Sequence, residues 1–251
     1  MMNRIPGVGG KTESFPGPAG EVTIVFDPVR LPQADPALFD PAHYGASARS
    51  VDGAGGRGAA WFVDAPFGAV VLRQYLRGGW MARISRDAFL WRGERSGRSF
   101  REFDLLRRLR AMGLPVPAAV AAAQRRQGWR YRAAILVERI PGVESFSARV
   151  RKLGASAPWE AAGRAIAACH RRGAHHADLN ANNLLVGPDG VLHLIDWDKG
   201  RIEQRGSGAW CERVLSRLER SLRKECAELP PELITAGMVR LRSAHDRALR
   251  G

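Results

Sequence analysis

Residues 175–200 read HHADLNANNLLVGPDGVLHLIDWDKG. Asp178 is followed five residues later by Asn183, and Asp196 closes an apolar run. Gly187-Pro188-Asp189-Gly190 is turn chemistry, so Asn182–Val186 and Val191–Ile195 are expected to pair as a β-hairpin. A hairpin needs neither an asparagine at its entrance nor an aspartate at its exit. Those side chains, with Asp178, put three oxygen-bearing groups on two neighbouring turns.

The pattern D-x-x-x-x-N, turn, short strand, D is that of the catalytic core of protein-kinase-like phosphotransferases. A phosphoryl donor carries its charge with Mg²⁺, which needs oxygen ligands, and Asn183 and Asp196 are expected to supply them. One further carboxylate must stand near the acceptor hydroxyl, and that role falls to Asp178. The expected fold is α+β with two lobes. A small N-lobe over 43–140 would carry an antiparallel sheet and one helix, after a partly loose extension over 1–42. A larger, mostly helical C-lobe over 141–251 would carry the catalytic hairpin.

The rest of the chain is read outward from that hairpin. Upstream, the cluster Gly53, Gly55, Gly56, Arg57 and Gly58 lies between apolar segments, where glycine lets backbone N–H groups close over a phosphate. A plain glycine-rich hairpin gives the same signal; the later motif favours a nucleotide-covering loop. Ala69–Leu76 reads as the next strand and carries Arg73, where such lobes usually place a lysine. Arginine keeps the charge and can grip phosphate bidentately. Ser99–Gly113 is an amphipathic helix with Leu105, Leu106, Leu109 and Met112 on one stripe, and Glu102 is placed to pair with Arg73. Val116–Ala123 and Trp129–Val137 read as two more strands, the second ending at the Pro141-Gly142 break, a hinge at which backbone around Glu138 to Ile140 would meet adenine. The basic, aromatic stretch from Arg77 to Arg98 reads equally as an acceptor- or lipid-facing surface and as a solvated loop.

Residues 1–20 are rich in Gly and Pro and are expected to be loose; Glu21–Asp27 reads as an edge strand, and Pro36–Phe39 as a short helix. Helices are expected from Pro158 to Arg172, from Trp210 to about Glu228, and over 232–249. The middle one is strongly basic, either a membrane-surface helix or one packed on its lobe with a solvated cationic face. His176 is expected to bond backbone in the catalytic turn, whereas His170 and His175 read as solvated or capping. Asp198 reads as a loop anchor or a second metal contact.

The 251 residues carry a net charge of +14, and Lys11, Lys152, Lys199 and Lys224 are the only lysines among 39 basic residues. An anionic partner or arginine-rich coding bias explains that charge equally well. Three cysteines without ligand spacing argue against a disulfide framework or zinc site. The N-terminus lacks an apolar core, and no apolar run approaches membrane-spanning length, so neither signal peptide nor span is expected.

Six motifs together carry a resemblance: GRG at Gly56–Gly58, LRQYLRGGW at Leu72–Trp80, RSFREFDLLRRL at Arg98–Leu109, GLPVP at Gly113–Pro117, HADLNANN at His176–Asn183 and LIDWDKG at Leu194–Gly200. The sequence is similar to the 3-deoxy-D-manno-octulosonic acid (Kdo) kinases of Gram-negative bacteria. That resemblance implies ATP-dependent phosphorylation of the 4-hydroxyl of Kdo in Kdo–lipid A, in lipopolysaccharide inner-core synthesis. It also implies ATP and Mg²⁺ as cofactors and a peripheral place at the cytoplasmic face of the inner membrane, on an anionic surface. The family carries arginine at the Arg73 position. Ala177 before Asp178, and the absence of a long activation segment after Asp196, argue against a protein substrate. The alternatives are a heptose- or aminoglycoside-directed kinase on the same core, or a non-catalytic polyanion-binding module; nucleic acid is not expected as a partner.

Overall fold

The computed structural model describes residues 10–17, 20–51, 60–75, 89–90, 97–204 and 208–250, with backbone alone at 89–90. The chain divides into two compact units, residues 1–108 with 118–139 and residues 109–117 with 140–251.

Unit 1 is built on an antiparallel sheet. Its strands are β1 (Lys11–Phe15), β2 (Glu21–Phe26), β3 (Ala48–Ser50), β4 (Ala60–Ala65), β5 (Gly68–Gln74), β6 (Phe89–Leu90), β7 (Ala119–Gln127) and β8 (Arg130–Glu138). The order is β1-β2-β7-β8-β5-β4-β3, with β6 also on β8. Ile24, Phe26, Val63, Leu72, Ala121 and Leu136 are fully buried in its main cluster, each larger aliphatic or aromatic side chain contributing about 1.5–3 kcal/mol. Helix α1 (Arg98–Ala111) buries Phe103, Leu106 and Leu109, and its Ser99 hydroxyl donates to the Ala123 carbonyl of β7 at 3.1 Å.

Two expectations for this unit change. The stretch 1–20 was expected to be loose, yet Lys11–Phe15 forms β1 and pairs with β2 from Lys11 opposite Phe26 to Phe15 opposite Val22. Consequently β2 is no edge strand: β1 flanks it on one side and β7 on the other, and Val22–Phe26 are all buried. Residues 11–26 thus belong to the sheet instead of extending from it. The proline-rich connection that follows forms two 3₁₀ segments, Pro36–Phe39 and Pro41–Ser47. Asp35 and Asp40 cap them, accepting the amides of Ala37 at 2.8 Å and Ala42 at 2.9 Å, with proline at the first helical position where its missing N–H costs nothing.

Unit 2 is mainly helical: α2 (Phe146–Leu153), α3 (Trp159–Arg171), α4 (Ala209–Glu225) and α5 (Pro231–Arg250). Its short strands are β9 (Glu144–Ser145), β10 (Ala174–His175), β11 (Leu184–Val186), β12 (Leu192–Leu194) and β13 (Arg201–Ile202). Helices α3 and α5 approach closely. A Cβ on Gly163 would stand 2.2 Å from the Leu241 carbonyl, and one on Gly237 2.3 Å from the Trp159 ring. Helix α2 was not expected; Ser145 caps it by accepting the Ala148 amide at 3.2 Å, and its buried Phe146 meets Trp159 edge-on at 5.3 Å. The hairpin forms as β11 and β12, with Leu184 opposite Leu194, and β9 adds a third strand on the β11 side. Gly190, at φ 79°, closes the turn in a conformation that suits glycine.

Candidate active site

In unit 2 the turn over residues 176–183 is held by its own polar groups. Asn180 Oδ1 accepts the amides of Asn182 at 2.9 Å and Asn183 at 3.1 Å, an arrangement asparagine favours in turns. The Asn183 side-chain Nδ2 donates to the Asp178 carbonyl at 3.1 Å. The Ile195 amide donates to the Asn183 carbonyl at 3.0 Å, so the residue before Asp196 is tied to Asn183. The start of α2 holds the same turn: the Ser147 amide donates to the Ala181 carbonyl at 3.2 Å, and its hydroxyl donates to Asn182 Oδ1 at 2.5 Å.

His176 links the two ends of the site. It is buried, its Nδ1 accepts the Asp178 amide at 3.3 Å, and its Nε2 must then carry the hydrogen it donates to the Ile195 carbonyl at 2.8 Å. Burial lowers its pKa, so the ring stays neutral and the tautomer is fixed. Asp196 takes φ 63°, alone among described non-glycine residues in the left-handed region. Aspartate tolerates that conformation better than most side chains.

The Asp178 side chain is about one-third exposed and meets two cations that the sequence reading did not place there. Arg217 on α4 pairs with Oδ1, and the Lys199 ammonium lies 3.7 Å from Oδ2. A signal for Lys199 was its position three residues past Asp196; Arg217, 39 residues from Asp178, left none.

Unit 1 brings together Arg73 on β5 and Glu102 on α1 as an ion pair, with Glu102 only 2% exposed. The Tyr75 hydroxyl donates to the same Glu102 oxygen, and the Arg73 guanidinium lies 5.1 Å from the Tyr75 ring centroid. Tyr75, two residues along the strand from Arg73 and so on the same face, is a partner that the sequence reading missed. The expected adenine contact at 138–140 is constrained. The Glu138 amide donates to the Ala118 carbonyl at 2.8 Å and the Arg139 amide to the Ala69 carbonyl at 3.0 Å, so both N–H groups are already committed within unit 1. The glycine loop, Gly53, Gly55, Gly56, Arg57 and Gly58, lies outside the described residues, as does most of the Arg77–Arg98 stretch.

His170 and His175 are buried, contrary to the solvated or capping role expected of them. His170 shares a hydrogen bond of 2.9 Å with His245 of α5 and packs on Trp210; its place one turn past Ile166 on the apolar stripe of α3 was the available signal. Burial foremost, then the neighbouring His245 and His175, pushes its pKa down from 6.5 to about 3. His175 bonds Glu203 at 3.1 Å; burial lowers its pKa while Glu203 pulls the other way.

Among the described residues there is no group of three or more His, Cys, Asp or Glu side chains fit to hold a metal. A Mg²⁺ ion carried by a triphosphate asks for less: one or two protein oxygens, the rest coming from phosphates and water. Asn183, whose Nδ2 is committed to the Asp178 carbonyl so that Oδ1 remains, and the carboxylate of Asp196 fit that demand.

A family model described as the lipopolysaccharide kinase (Kdo/WaaP) family matches residues 43–239. A protein of Stenotrophomonas maltophilia (strain K279a) named 3-deoxy-D-manno-octulosonic acid kinase is 54% identical over 225 residues, covering 90% of each chain. One of the same name from Xanthomonas axonopodis pv. citri (strain 306) is 50% identical over 229 residues, 91% of each. The chain belongs to the lipopolysaccharide kinase (Kdo/WaaP) family, a family of phosphotransferases. Among the described residues no helix is long and apolar enough to cross a membrane.

Proposed function

We propose that this protein transfers the γ-phosphoryl group of ATP to the 4-hydroxyl of Kdo in Kdo–lipid A, during assembly of the lipopolysaccharide inner core, and that its two units act as the lobes of a protein-kinase-like enzyme. The carrying observation is the tie between Asn183 and Ile195, which sets the two candidate metal ligands on adjoining turns beside Asp178. Relatives named Kdo kinase, alike along nine-tenths of the chain, support the acceptor.

In this mechanism Asp178 orients the acceptor hydroxyl and takes up its proton late, as oxygen bonds to phosphorus. Asn183 and Asp196 would hold Mg²⁺, which would supply charge neutralisation at the donor's phosphates. Arg73, paired with Glu102, clamps the α- and β-phosphates, and the glycines at 53–58 would close over them. His176 contributes through the turn alone: it keeps Asp178 and Ile195 at fixed separation. Positioning and charge neutralisation are most of what phosphoryl transfer asks of a protein. An acceptor embedded in the inner leaflet would recruit the arginine-rich surface to the cytoplasmic face of the inner membrane.

The test is mass spectrometry of Kdo–lipid A incubated with the protein, ATP and Mg²⁺. Gain of one phosphate, lost in Asp178→Ala and in Asp196→Ala with the fold intact, is the expected result. Phosphorylation that survives both substitutions would remove the proposal, and transfer to heptose or an aminoglycoside instead would redirect it.

A further inference from the structure

The carboxylate assigned to the acceptor hydroxyl is not presented bare. Arg217 takes Asp178 Oδ1 and Lys199 faces Oδ2, so each oxygen that a hydroxyl could approach already meets a cation. Arg217 is not there by side-chain reach alone. Val214, Leu218 and Leu222 bury one face of α4, and the Ser221 hydroxyl, one turn beyond Arg217, accepts the Ala181 amide of the catalytic turn at 3.1 Å. That bond fixes the helix register, which carries Arg217 to Asp178. Lys199 comes from the turn after Asp196. Both cations remain open to solvent, with side chains 47% and 64% exposed, and Asp178 is the ion-pair partner each has among the described residues.

An acceptor hydroxyl that reaches Asp178 competes with these contacts. A neutral acceptor would weaken the ion pairs and return nothing to the cations. An acceptor with an anionic group beside the reacting hydroxyl exchanges one carboxylate for another, and a guanidinium binds either as a planar fork. Because the pair is exposed, the exchange is shallow: surface ion pairs are worth about 0–1 kcal/mol, so Arg217 can change partners readily.

We propose that Arg217 and Lys199 form an acid-recognition pair for the phosphoryl acceptor. The acceptor's own carboxylate draws Arg217 from Asp178, and the reacting hydroxyl takes the vacated oxygen. Acceptors lacking an acid group near that hydroxyl are thereby selected against. This rests on the function proposed above, whose acceptor sugar is an octulosonic acid; the carboxylate of that sugar, not the phosphates of its lipid anchor, is the assigned ligand.

The experiment is steady-state kinetics with Mg²⁺–ATP on three acceptors: Kdo–lipid A, its carboxyl methyl ester, and the same glycolipid stripped of its lipid phosphates. Wild type is compared with Arg217→Gln, Arg217→Lys, Lys199→Gln, and Arg220→Gln as an exposed basic control on the same helix. Circular dichroism establishes that each variant is folded. Arg217→Gln is expected to raise KM for the acid acceptor by about tenfold to a hundredfold, the worth of a hydrogen bond to a charged group, with KM for ATP unchanged. Arg217→Lys recovers some of the loss, Lys199→Gln loses less than Arg217→Gln, and Arg220→Gln matches wild type. On the methyl ester wild type suffers the same loss, and Arg217→Gln adds nothing to it. Equal losses by Arg217→Gln on acid and ester would overturn the proposal, as would a loss confined to kcat or one that follows the lipid phosphates. If wild type phosphorylates none of the three, the function above fails. Titration calorimetry of free Kdo then tests the pair alone, and a Kd indifferent to Arg217→Gln rejects it.

Discussion

Among the carboxylates that hold an arginine, Glu102 and Asp178 do so in opposite settings. Glu102 is 2% exposed and binds both Arg73 and the Tyr75 hydroxyl through one oxygen, in the interior of unit 1. Asp178 is 31% exposed and faces Arg217 and Lys199, both of which lie largely in solvent. A buried pair is expensive to disrupt because the surviving charge has no water to turn to, whereas an exposed pair separates with little loss. The first geometry suits a cation that must stay where it is. The second leaves a carboxylate free to change partners at little cost, as the proposed exchange with an acid acceptor requires.

The contrast can be broken most forcefully at Asp178. Asp178→Asn keeps the shape of the side chain and removes its charge, and kcat in the phosphoryl-transfer assay should fall by about a thousandfold, in the range ascribed to a lost general base. Unfolding free energy from urea titration should barely move in the same variant. Glu102→Ala inverts that result. It takes the carboxylate from the partly buried Arg73 guanidinium and should lower unfolding free energy by about 2–4 kcal/mol, towards the range seen for broken buried pairs.

His170 supplies a third case, a buried titratable group with a histidine for a partner in place of a carboxylate. The unfolded chain takes up this proton near pH 6.5 and the folded chain only near pH 3. Between those values the unfolded state binds more protons, so stability falls as pH is lowered through that window. The unfolding free energy from urea titration should drop between pH 7 and pH 5, by at most about 2 kcal/mol from this residue, and the pH dependence should flatten in His170→Gln. Smallest of all is Arg217→Ala in stability: a change under about 0.5 kcal/mol in urea titration is expected for an exposed pair. A loss comparable to that of Glu102→Ala would erase the distinction between the two sites.

Much of this arrangement could be read along the chain, and what escaped did so for physical reasons. The hairpin at 184–194, α1 and α3–α5 announce themselves through turn residues and apolar periodicity, because local rules set them. The meeting of Arg73 with Glu102 was likewise expected from the order of strand and helix. Strand β1 hid among glycines and prolines, and without it β2 looked like an edge; pairing is non-local and leaves no mark on the strand itself. Helix α2 is short and strongly basic, and packing of Phe146 on Trp159 holds it more than propensity does. Arg217 was the least legible of all, since its address depends on a hydroxyl one turn away meeting the turn at 176–183.

The left-handed backbone at Asp196 narrows what can ever stand at that position. Most side chains would be rejected by steric crowding before their chemistry was tried; glycine would relax the main chain yet bring no oxygen. Asparagine alone is admitted on both counts, keeping a side-chain oxygen while shedding the negative charge. A single exchange at this residue therefore separates electrostatics from architecture, a distinction that few sites in a protein offer so cleanly.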